Sequence, residues 1–219
     1  MKFITSILAL YFLVILPTIH LCFPGNKFIY DYGIIIYFAL ILIIALSFKR
    51  VSSQELGFNK NNIRQTLTVG IIFGILPILS VYLLDGLLVK MGLEQSDLLS
   101  GANLRTPEEM GFHITPAANL FSVLFGPFVD QVFIMGLIVN NMFIKDNPER
   151  VIIGGGIIYS LIHFQLNIGS LFLGIISAGL LKTTGSIIPS ILVHTGFAIA
   201  ELSIVFNYPR LISLLVFFV

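Results

Sequence analysis

The sequence predicts an all-α protein, a polytopic bundle of about eight transmembrane helices, and three observations carry that prediction. First, 57% of its 219 residues are hydrophobic, 11% are charged, and the mean hydropathy is +1.00. Soluble domains carry about a quarter charged residues, and a soluble fold of this size leaves roughly a third of its unfolded surface in water. Second, the apolar residues arrive in runs of about 20, the length that crosses a ~30 Å hydrocarbon core. Third, ionisable groups inside those runs are few and are concentrated in the second half of the chain.

Spans are expected near residues 3–23, 32–48, 66–88, 118–144, 151–165, 168–182, 187–206 and 209–219. The first follows Lys2 and has some character of a signal peptide. Its apolar run is long and no small-residue cleavage site closes it, so a retained span is expected. With eight spans and a cytoplasmic N-terminus, Lys2, Lys49, Arg50, Lys60, Arg64, Lys145, Arg150 and Lys182 lie inside. Lys27, Lys90, Arg105 and Arg210 lie outside, a bias of the positive-inside kind.

Two loops are long. Residues 49–65 are polar and basic and are expected along the inner membrane surface. Residues 89–117 hold Glu94, Asp97, Glu108 and Glu109, and Thr106-Pro107-Glu108-Glu109 has the form of a helix start: a capping hydroxyl, an early proline, then carboxylates at the positive end. A solvated helix start accounts for that glutamate pair better than catalysis does. No repeat or second domain is visible, so residues 1–219 are taken as one membrane domain. The single Cys22 excludes a disulfide framework within the chain and is read as an apolar filler of the first span. A net charge of +1 offers no basic face for nucleic acid.

Ionisable side chains within a membrane are costly and mark functional positions by default. Asp130, His163, His194 and Glu201 fall within spans, Asp85 falls nearer an edge, and Gln131, Asn140 and Asn141 add polarity to the fourth span. His194 and Glu201 are two helical turns apart, on nearly one face and about 10 Å distant in rise. Asp130 and Gln131 follow Gly126-Pro127, where the proline is expected to bend or open the helix. Asp130 with two histidines offers a general base and an oxyanion donor, or two to three metal ligands. A single intramembrane histidine is more often a helix-to-helix hydrogen bond. Three such groups on separate spans raise the expectation of a shared site. Gly154-Gly155-Gly156 on span five, and Gly169, Gly174, Ser177, Ala178 and Gly179 on span six, read as small surfaces for close helix packing.

These motifs resemble those of the CPBP family, the CAAX prenyl protease and bacteriocin-processing (Abi-type) group of intramembrane proteins. The resemblance runs from about residue 56 to 206. The family's first motif is a proline, two residues, Glu-Glu, three residues and an arginine followed by glycine. Here the stretch reads Pro127-Phe128-Val129-Asp130-Gln131, then Met135-Gly136, so both glutamates and the arginine are replaced. The Phe-x-x-x-His motif appears as Tyr159 to His163. Thr184-Gly185-Ser186-Ile187-Ile188-Pro189 matches the segment that precedes the family's His-x-x-x-Asn motif. That motif reads His194 to Ala198, with histidine kept and asparagine lost. Glu55-Leu56-Gly57-Phe58 resembles a leucine-glycine signature found ahead of the third span.

The resemblance implies a CPBP-type intramembrane endopeptidase fold. In it, Asp130 with His163 activates water and His194 is the oxyanion donor; Gln131, Tyr159 and Glu201 are possible accessories. It implies peptide or membrane-protein substrates, a lipid bilayer around the chain, no metal or other cofactor, and a prokaryotic plasma membrane. Gln131 cannot serve as a general base, Met135 cannot form the arginine's ion pair, and Ala198 removes a donor of a kind worth about a hundredfold to a thousandfold in rate. Two further readings stand beside the protease: a catalytically inactive relative acting as a partner-binding or regulatory scaffold, and a transporter or metal-handling protein using the same three side chains.

Overall fold

The computed structural model describes residues 2–23, 25–59, 62–92, 116–143, 145–164, 168–208 and 211. Among these there are seven helices and no strand. Helix α1 runs Lys2–Leu10, continues through a π-helical stretch Tyr11–Ile15 and ends as Leu16–Cys22; α2 is Lys27–Ser47 and α3 is Ile63–Lys90. Helix α4 comprises Pro116–Gln131, the π-helical Val132–Val139 and Asn140–Phe143. Helices α5, α6 and α7 are Pro148–Ile162, Ile168–Thr184 and Ile188–Asn207. Each overlays one of the first seven expected spans. The expected eighth, 209–219, and the helix start at Thr106 lie outside the described residues, apart from the buried Leu211. Among the described residues, four helices are long and apolar enough to cross a membrane, over Phe3–Cys22, Ile63–Lys90, Asn119–Phe143 and Ile188–Asn207.

Local chemistry accounts for several helix starts. The Asn26 side chain accepts from the Ile29 amide at 3.1 Å, Asn147 accepts from the Arg150 amide at 3.0 Å, and Pro148 and Pro189 occupy first-turn positions where no amide is required. Helix α4 passes through Pro127 without ending there, and the backbone departs from α geometry five residues later, at Val132. From Val132 to Val139 every residue is buried. The wider π turn shifts the helix's register among its neighbours, a feature often found beside functional sites. Asn141 Nδ2 donates to the Leu137 carbonyl at 2.9 Å, giving a partner to backbone at the end of that stretch.

The core sits where α1, α2, α4, α5 and α6 meet. Phe38 stacks on Phe133 with ring centroids 4.0 Å apart, and both are sealed from solvent. Tyr37 donates to the Ile7 carbonyl at 2.9 Å and Tyr11 to the Ile162 carbonyl at 2.6 Å. Helices α5 and α6 approach through their small residues. A Cβ on Gly155 would stand 2.5 Å from that of Ala178, and one on Gly174 would stand 2.6 Å from that of Tyr159. The crossing of α3 and α7 is closer still, with Gly196 directly against the carbonyl of Gly74.

The 48–58 segment is more than a surface loop. Val51, Leu56 and Gly57 are buried. The Leu56 carbonyl lies against Gly136, where a Cβ would come within 2.6 Å of it. Asn140 Nδ2 donates to the Glu55 carbonyl at 2.7 Å, and the Ile187 amide donates to the Gly57 carbonyl at 2.9 Å. This turn therefore fastens α4 to the start of α7. Gly57 has φ +85°, a left-handed conformation that glycine adopts without Cβ strain.

Candidate active site

Three helices deliver the polar groups to one place. Asp130 and Gln131 come from the α-helical turn of α4 just before its π-helical stretch, Tyr159 from α5, His163 from the residue that ends α5, and His194 from the second turn of α7. Asp130 and Gln131 are buried, and the His163 and His194 side chains keep 26% and 18% of their exposure. Access to the cluster is therefore from the histidine side.

His163 Nε2 lies 3.0 Å from Asp130 Oδ1. The other nitrogen, Nδ1, lies 2.9 Å from the Tyr159 carbonyl. A carbonyl can only accept, so Nδ1 carries a hydrogen. Nε2 then meets the carboxylate through a second proton, which rests either on the ring or on the acid. The pair thus holds one exchangeable proton. Tyr159 donates its hydroxyl to Asp130 Oδ2 at 2.7 Å, so both carboxylate oxygens are engaged. His194 Nδ1 is 3.5 Å from Asp130 Oδ2, 3.4 Å from the Tyr159 oxygen and 3.2 Å from Gln131 Nε2.

Of the residues singled out in the sequence, Asp130, Gln131, Tyr159, His163 and His194 assemble. Glu201 does not: it is seven residues beyond His194, and neither ion pair of Asp130 involves it. Its neighbours along α7, Ala200 and Ile204, belong to a separate small cluster with Val81 and Leu211. Met135 is completely buried in the main core, so the place of the family's arginine is filled by an uncharged side chain. Among the described residues no group of three or more His, Cys, Asp or Glu is arranged to hold a metal ion.

Sequence reasoning missed two supports. Tyr11 of α1 reaches the carbonyl of Ile162, the residue next to His163. No local pattern marks it, because a tyrosine in an apolar run is ordinary. Gly174 lets α6 press on the Cβ of Tyr159. That glycine was noted for packing, without indicating which residue it seats.

Residues 113–200 match the family model described as Rce1-like, type II CAAX prenyl endopeptidase. That span includes Asp130, Gln131, Tyr159, His163 and His194, and it bears out the CPBP resemblance read from the motifs. Over that segment the chain is similar to CAAX-protease-like membrane proteins, and its described residues form helices and turns without strands. No curated protein and no solved structure matches it.

Proposed function

We propose that this chain is an intramembrane endopeptidase with an altered centre, in which Asp130 and His163 activate water and His194 steadies the oxyanion. The single observation that supports this most is the 3.0 Å contact between His163 and a buried Asp130 on a different helix. Such a pair can take a proton from water and return it, the work of a general acid–base couple. In the reaction, water oxygen attacks the peptide carbonyl carbon while its proton passes to Asp130 Oδ2, once the Tyr159 hydroxyl turns aside. The C–N bond then breaks and the leaving nitrogen collects the proton. A partly exposed His194 beside that carboxylate suits charge developing on the carbonyl oxygen.

Substrates would be peptides or membrane proteins presented within the bilayer. The distribution of lysine and arginine supports a cytoplasmic N-terminus in a plasma membrane, and the compact loops support a prokaryotic one. A second reading has its own observation: both oxygens of Asp130 are already occupied, by His163 and Tyr159. That arrangement suits a scaffold that keeps the fold and binds a membrane partner without cleaving it.

The experiment is cleavage of a membrane-peptide library by the purified protein, beside Asp130→Ala and His163→Ala. Cleavage lost in both variants, with the fold retained in detergent, supports the protease. Absence of cleavage by the wild type, in lipid where an intact relative is active, supports the scaffold.

A further inference from the structure

We infer that Gln131 is a positioning residue that holds His194 in the tautomer carrying its hydrogen on Nε2, the only neutral form able to donate from that nitrogen to an oxyanion. This rests on the protease reading given above. The sequence presents Gln131 as a loss, since an amide cannot act as a base where the family has a glutamate. The geometry gives it a different task.

Gln131 Nε2 stands 3.2 Å from His194 Nδ1. An amide nitrogen only donates, so Nδ1 accepts and the ring hydrogen resides on Nε2. The Tyr159 hydroxyl spends its one hydrogen on Asp130 Oδ2 at 2.7 Å. The other neighbours of Nδ1, the Tyr159 oxygen at 3.4 Å and Asp130 Oδ2 at 3.5 Å, are acceptors, and both stand farther off than the amide, which leaves Gln131 as the neighbour that makes Nδ1 accept. A half-turn of the amide would bring Oε1 to Nδ1 and reverse the tautomer. That turn would partner Gln131 Oε1, a buried oxygen without a hydrogen bond, but it would set that oxygen against the Tyr159 hydroxyl oxygen, to which the amide now donates. One unmet acceptor is the smaller penalty. A glutamate at 131 could not hold this tautomer: a carboxylate accepts, so it would call for a hydrogen on Nδ1. With Ala198 in place of the second oxyanion donor, a donating Nε2 on His194 is what the site retains.

The test is nitrogen NMR of the full-length protein in detergent, with its histidines labelled with 15N on the imidazole ring and His194 assigned by comparison with His194→Gln. The wild type should show a neutral His194 with hydrogen on Nε2. Gln131→Glu should move the hydrogen to Nδ1 or charge the ring, and Gln131→Leu should leave a mixture of tautomers. A wild-type ring with hydrogen on Nδ1 overturns the inference, as does a tautomer unmoved in both variants. Where cleavage is observed, Gln131→Glu should reduce it by about a hundredfold, the usual loss with an oxyanion donor. If His194 holds the expected tautomer and no peptide is cleaved, the protease reading falls while the role of Gln131 in setting the ring stands.

Discussion

Helices α3 and α4 are both long apolar spans, and they are built for opposite surroundings. Helix α3 is the more hydrophobic, with a mean hydropathy of 2.4 over its best window against 1.9 for α4. Yet only 17% of that window is buried within the protein, against 78% for α4. Leu76, Leu79, Leu83 and Leu87 all face outward from α3, and its principal partner is α7, met across Gly70, Gly74 and Gly196. Helix α4 instead carries Asp130 and Gln131 and is sealed on every side from Val129 to Val139. In a membrane, apolarity does not report what is inside, because lipid accepts a leucine as readily as a core does. The polar residues do, since they must find partners away from lipid.

Substitutions can break this contrast, beginning with the largest effect. Asp130→Asn, close in shape and without charge, is expected to lower peptide cleavage by about 10²–10⁴-fold, the usual worth of acid–base catalysis, with little change in the thermal midpoint. Retention of most of the rate would separate the burial of α4 from any catalytic purpose. Phe133→Ala, which removes the ring stacked on Phe38, should cost about 3 kcal/mol through the cavity it leaves. Leu83→Ala on the lipid face of α3 should change stability by no more than about 0.5 kcal/mol. Denaturant titration in matched detergent would compare the two, and equal losses would sink the distinction drawn between the helices.

A finer comparison lies within small residues. Gly196→Ala presses a methyl group into the Gly74 carbonyl and should cost about 1–3 kcal/mol by overpacking. Gly86→Ala meets no atom within 4 Å and should be neutral or slightly stabilising. Thermal midpoints measured side by side would decide whether α3 depends on that crossing.

The smallest effect concerns the exposed turn ahead of α3. The Ser52 amide and hydroxyl both donate to Glu55 Oε2, at 2.7 and 2.9 Å, and hold the carboxyl below its ordinary value of 4.5. A depressed carboxylate contributes its stability above the ordinary value and loses it as pH falls through the lowered one. Proteolysis at the 52–55 turn should therefore rise only under acid, and Glu55→Gln should abolish that dependence.

The sequence made seven of these helices legible because each apolar run is bounded by charge, glycine or proline, and because hydropathy has one length scale in a bilayer. It brought Asp130, His163 and His194 forward by the expense of placing them where they are. It did not exclude Glu201, whose two-turn spacing from His194 says nothing of which helix α7 faces at that height. The partnership of Asp130 with Tyr159 was hidden because it depends on how closely α4 and α5 approach, at small residues such as Gly155, where a Cβ would stand 3.6 Å from Val139 Cγ1. The anchoring by Leu56 and Gly57 looked like a surface loop, since its bonds run through backbone carbonyls that carry no sequence signature.

The bond from Tyr11 to the Ile162 carbonyl joins residues 151 positions apart. At roughly 5–20 residues per second of synthesis, the carbonyl leaves the ribosome about 8–30 seconds after the tyrosine. The hydroxyl of α1 therefore enters the bilayer as a polar group awaiting a partner not yet made. For that interval α1 must be tolerated by lipid, by α2 or by the insertion machinery. The last step of assembly near His163 is thus ordered in time by translation, and shortening the wait by splitting the chain into two co-expressed halves would alter how reliably it closes.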